Sequence, residues 1–147
     1  MDYKGLAFYQ KARIVIMRLN DEINSWPNSL QSLSISRQLF RAATSIGANI
    51  AEGHGRHAGQ EYIHYLIIAR GSANEVDHWL NTAIDCKIGN QSNLQNLVDL
   101  NNETRRMLSA TINTLQKQQV SKKVGESPLP YPLSPQIEDF ETEVENL

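Results

Sequence analysis

The chain has 147 residues and a mass of 16.6 kDa, room for one ordinary domain and little more. With 40% hydrophobic and 20% charged residues it is not a wholly disordered chain, and a net charge of −2 excludes a histone-like polycation but not a local basic patch. Cys86 is the single cysteine, so an intrachain disulfide scaffold is excluded too.

The first apolar stripe is Phe8, Ala12, Val15, Leu19 and Ile23, which predicts a helix ending before the turn signal Trp26-Pro27-Asn28. A second helix is expected from Ser36, an N-cap residue, through Leu39, Ala42, Ala43, Ile46 and Ile50 to Gly53. The third, from about His57 to Asp85, carries Tyr62, Leu66, Ala69, Ala73, Val76, Leu80 and Ala83 at alternating spacings of four and three. Outside that seam a second row, Ile63, Tyr65, Ile67 and Ile68, is surplus to one bundle and predicts an interface with further copies. The fourth helix follows Ile88-Gly89-Asn90, with Ser92 and Gln95 as a capping box and Leu94, Leu97, Leu108, Ile112 and Leu115 on its apolar face. No two-residue alternation marks a strand. The predicted fold is all-α, an antiparallel up-down-up-down four-helix bundle with an extended C-terminal tail.

Charge divides the chain into a body at 1–119 and a tail at 120–147. The body holds 12 basic and 10 acidic side chains; the tail holds 2 and 6, with four of the five prolines. Pro128, Pro130, Pro132 and Pro135 favour an extended spacer. After it, Ile137, Phe140, Val144 and Leu147 recur at helical spacing among acidic residues, a short amphipathic helix over 135–147 that suits docking onto a neighbouring subunit or a partner. The other reading is an acidic, solubilising appendage.

Residues 41–53, Arg-Ala-Ala-Thr-Ser-Ile-Gly-Ala-Asn-Ile-Ala-Glu-Gly, are followed by Gly55-Arg56 and by Glu61-Tyr-Ile-His-Tyr-Leu-Ile-Ile-Ala-Arg-Gly-Ser-Ala-Asn-Glu75. Over roughly 5–119 this pattern resembles the four-helix-bundle family encoded within 23S rRNA intervening sequences, which is similar to the accessory variability proteins of diversity-generating retroelements. The resemblance implies a homopentamer with a non-enzymatic role near RNA and a reverse transcriptase. It singles out Asn49, Glu52, Gly53, Arg56 and Glu75 as the family-motif residues. The chain departs from the family's pattern at Phe40, where a second basic residue is frequent, and at Gly47, where proline is.

The same residues have a physical reading. A tight turn at Gly53–His57 would set Asn49 and Glu52 near Ala58 and Glu61, one polar group with Arg56, and would set Gly71 and Ser72 against Gln38 and Leu39 for close helix approach. Glu75 would then stand level with Arg37 and Arg41. The first group either braces the turn or meets a ligand.

Catalysis finds little support. Glu61-x-x-His64 and Glu75-x-x-His78 match the di-iron bundle element, yet both lie on one helix about 21 Å apart, too far to share two metals. His57, Glu61 and His64 share a face, but exposed histidines are the simpler explanation, and Cys86 reads as inert packing. The expectation is no catalytic residue, no metal, no cofactor and no small-molecule substrate. Nucleic-acid binding is the stronger option: Arg37, Arg41, Arg56, Arg70, Arg105 and Arg106 would form a basic surface multiplied by oligomer symmetry. Two functions therefore stay open. One is a retroelement-type accessory scaffold for reverse transcriptase and structured RNA; the other is a protein-interaction module without nucleic acid. No apolar run approaches the ~20 residues of a membrane helix, and Met1-Asp2-Tyr3-Lys4 lacks a signal-peptide core, so the expected location is the cytoplasm, in a bacterial setting.

Overall fold

The computed structural model of the chain describes residues 2–56 and 59–123. The tail residues Ile137, Phe140, Val144 and Leu147, and His57, lie outside them. After a 3-10 turn at Tyr3–Gly5 come four helices: α1 (Ala7–Asn24), α2 (Leu30–His54), α3 (Gly59–Asp85) and α4 (Gln91–Lys122). α1 packs on α2 and α4, and α3 packs on α2 and α4, so α1 and α3, like α2 and α4, stand diagonally. This is the square of an up-down-up-down bundle, and no strand occurs among the described residues.

The apolar stripes meet in one core. Leu66, Ala69, Ala73, Val76, Leu80 and Ala83 of α3 are fully buried, as are Leu19, Leu39, Ile46, Ile50, Leu94 and Leu108 from the other helices. Each Leu or Ile so buried contributes about 1.5–3 kcal/mol, which is why the stripes decide the fold. Tyr62, at the end of the α3 seam, is only half-buried, and burial pushes its phenol pKa up.

Two helix starts differ from expectation. α2 begins six residues before Ser36, capped by Ser29, whose Oγ accepts from the Ser32 amide at 3.1 Å. The inward position of its first turn is Ser32, which is buried, while Leu30 and Leu33 face solvent, so no apolar stripe announces the start. Ser36 lies inside the helix and donates to the Leu33 carbonyl. α4 is capped by Asn90, whose side chain accepts from the Asn93 amide at 2.9 Å; Ser92 and Gln95 form no capping box, and Gln95 instead donates to Asp99. Lys87 and Gly89, both at positive φ, turn the chain so that Asn90 reaches the cap position in extended conformation.

The α2–α3 register differs as well. Ser45 faces Ser72 rather than Tyr65, with their hydroxyls 2.9 Å apart, and Gly53 rather than Gly71 is the point of close approach. A Cβ on Gly53 would stand 2.6 Å from Tyr65 Cβ, whereas one on Gly71 would meet open space. At that end of the bundle α4 runs on to Lys122 and lies beside the first turn of α3, with Gly59 against Gln119.

The second apolar row of α3 also divides. Ile63 is core, Ile67 and Tyr65 are half-buried, and Ile68 is 37% exposed. α3 packs on two helices, so its buried arc is wider than one seam. The exposed apolar surplus lies mainly on α2, at Leu30, Leu33 and Phe40, which are 76%, 46% and 42% exposed.

Candidate nucleic-acid interface

The six arginines do not form one patch. Arg37 and Arg41 sit a turn apart on the outer face of α2, both exposed. Between Leu30 and Ala51 that helix carries no carboxylate. Glu75 is exposed and pairs with neither; the ion pairs among the described residues are Lys11–Glu103, Glu52–Arg56 and Asp77–Arg105. Arg106 is exposed on α4, at the opposite corner of the square.

The other three arginines are engaged in holding the bundle. Arg56 donates through Nε and Nη2 to Glu52, one turn back, and lies 5.5 Å from the Tyr65 ring. That hydrogen bond, with the nearby charges, raises its pKa further. Arg70 is half-buried, donates to Ser109 Oγ of α4 at 3.4 Å, and has its pKa lowered by burial. Arg105 clamps α4 to α3: Nε donates to Asn74 Oδ1 at 2.8 Å, Nη1 to Asn102 Oδ1 at 2.8 Å, and Asp77 is 3.8 Å away.

The expected group of Asn49, Glu52 and Arg56 separates into two. Asn49 donates to the carbonyl and hydroxyl of Ser45, within the Ser45–Ser72 bridge, while Glu52 and Arg56 join Tyr65 at the end of α2. Both groups brace the α2–α3 pair. Among the described residues no three of His, Cys, Asp and Glu converge as a metal site. His64 and His78 stack edgewise on Tyr65 and Trp79, and Cys86 is exposed rather than packed.

Two buried polar clusters escaped the sequence reading. Glu22 is 4% exposed; its Oε1 accepts from the Asn90 amide at 2.7 Å and Trp26 Nε1 at 3.2 Å, and its Oε2 from Asn93 Nδ2 at 3.0 Å. The carboxylate thus sits at the N-terminus of α4, where the helix dipole favours it. Its signal was present: Phe8, Ala12, Val15, Leu19 and Glu22 continue the four-three spacing, with an acid at a core position. Asn101 and Thr104 likewise fill seam positions between Leu97 and Leu108 on α4. Both are fully buried; Asn101 Nδ2 donates to the Ala73 carbonyl at 2.9 Å, and its Oδ1 has no hydrogen-bond partner.

The family model of the 23S rRNA-intervening sequence protein matches residues 4–110. The chain belongs to that family. A crystal structure of a protein of unknown function from the S23 ribosomal protein family of Bacteroides thetaiotaomicron is similar, with 26% identity and a TM-score of 0.66, covering 72% of this chain and 98% of that one. No curated protein gives a significant match. The match to the 23S rRNA-intervening sequence family covers α1, α2, α3 and α4 as far as Ala110, and no described helix is long and apolar enough to cross a membrane.

Proposed function

We propose that this 23S rRNA-intervening sequence protein is a non-catalytic, self-assembling scaffold that binds structured RNA through α2. The observation that carries this reading is the pair Arg37 and Arg41, exposed and in no ion pair with any described residue, on a helix without a carboxylate from Leu30 to Ala51. Guanidinium groups held a turn apart suit successive phosphates, and assembly as a pentamer would repeat the row five times. In the finer form of this reading the RNA belongs to a retroelement and the protein partner is its reverse transcriptase, as the resemblance to accessory variability proteins implies.

The test is a salt series of binding to a structured RNA. Affinity should fall steeply as salt rises, because phosphate neutralisation releases counterions. Arg37→Glu with Arg41→Glu should abolish binding and leave the melting temperature unchanged, while Arg106→Ala should change affinity little. Absence of binding at low salt would overturn the reading. A second reading, a protein-interaction module without nucleic acid, is favoured by the apolar residues Leu30, Leu33 and Phe40 on the same face.

A further inference from the structure

We infer that the acidic segment 135–147 of the chain docks along the outer face of its own α2, over Leu30 to Arg41, and covers the arginine row. Three independent features point there. The first is shape: Leu30, Leu33, Arg37 and Phe40 follow one another at intervals of three, four and three, and Ile137, Phe140, Val144 and Leu147 follow the same intervals. Two such stripes are each about 15 Å long at helical rise and match end to end. Leu30, Leu33 and Phe40 have no partner helix in the bundle and expose large apolar area.

The second is charge. All 14 Lys and Arg residues lie within 1–123, while 124–147 holds Glu126, Glu138, Asp139, Glu141, Glu143 and Glu145 and no basic residue. The face it would cover offers Arg37 and Arg41 and no acid. Acidic flanks beside an apolar stripe thus meet an apolar stripe flanked by arginines, which favours both attraction and register.

The third is reach. α4 ends at Lys122, at the end of the bundle where α2 also ends, since Gly59, just past the α2–α3 turn, lies against Gln119. The roughly 12 residues of proline-containing spacer span about 37 Å at ~3.1 Å each. A segment seated antiparallel to α2 begins near Arg41, ~20 Å back from His54 at 1.5 Å per residue, and the remaining spacer length serves to cross from α4 to the diagonally placed α2. The same chain therefore supplies the occupant at high effective concentration. Docking sets the segment in competition with any polyanion for Arg37 and Arg41, so it weakens, without abolishing, the binding of ligands to that face. The inference stands independently of RNA binding.

The experiment is photo-crosslinking in the full-length chain, with p-benzoylphenylalanine replacing Phe140 in one variant and Ile137 in a second. Expected are crosslinks to residues 30–44 on a species of single-chain mass. Arg37→Glu with Arg41→Glu, or high salt, should cut the yield roughly fivefold or more, because the contact is steered by charge. Circular dichroism melting of the Arg variant verifies that its bundle is intact. Crosslinks spread over all helices, or none from either probe, overturn the proposal. Crosslinks found only at double the chain mass overturn it as well, by assigning the segment to a neighbouring copy. Crosslinks to α2 in a protein that binds no RNA would sustain the docking while defeating the RNA reading.

Discussion

Glu22 holds the corner where α1, the α3–α4 turn and α4 meet, and its three hydrogen bonds all arrive from donors. Glu22→Gln therefore sets a donor against a donor: the new amide NH2 would face Asn90 N, Trp26 Nε1 or Asn93 Nδ2. The expected loss is about 2–3 kcal/mol, read as a lower urea midpoint at constant m-value. Gly53 and Gly71 make a second residue-scale contrast. Gly53→Ala places a methyl 2.6 Å from Tyr65 Cβ and should cost about 1–2 kcal/mol net, overpacking outweighing better helix propensity. Gly71→Ala meets open space in mid-helix and should gain about 0.5–1 kcal/mol. Thermal melts of the two variants should move in opposite directions.

At the scale of the element, the caps decide where helices begin. Ser29→Ala and Asn90→Ala should each cost about 1 kcal/mol, whereas Ser36→Ala and Ser92→Ala should stay within about 0.5 kcal/mol, since neither caps a helix. Denaturant melts of these four variants test the observed boundaries against those expected from local pattern. The arginines of α4 divide in the same way. Arg105 ties α4 to Asn74 and Asp77 of α3, so Arg105→Ala is no neutral surface change and should cost about 1 kcal/mol. Its neighbour Arg106, exposed, should tolerate alanine within about 0.5 kcal/mol. Loss of RNA affinity in Arg106→Ala would therefore report contact, while in Arg105→Ala it would mix contact with a loosened bundle.

At the scale of the whole molecule, the exposed apolar residues Met17, Leu30, Leu33, Phe40, Ile68 and Val120 are spread over all four helices and concentrated on α2. Self-assembly needs part of this surface, and light scattering at micromolar concentration should give a mass several times 16.6 kDa. A monomer would remove the scaffold reading, because a row of two arginines per chain gains strength only by repetition.

Helix number, order and core were legible in the sequence because burial acts through periodicity. Phe8 to Leu19 on α1, Leu39 to Ile50 on α2 and Leu66 to Ala83 on α3 each carry their own record of which side faces inward. Polar residues at core positions were the blind spot: Glu22, Ser32, Asn101 and Thr104 interrupt the apolar pattern, and only their partners explain them. The fate of each arginine was equally hidden. Arg56, Arg70 and Arg105 read the same as Arg37, Arg41 and Arg106 along the chain. Whether a guanidinium is spent on a neighbouring helix or left facing solvent depends on register, here the offset that sets Ser45 against Ser72 and carries α4 past the start of α3. The sequence alone determined four amphipathic helices and the faces they bury. Only the tertiary structure decided which charges remain available, because that depends on distances between residues far apart in the chain.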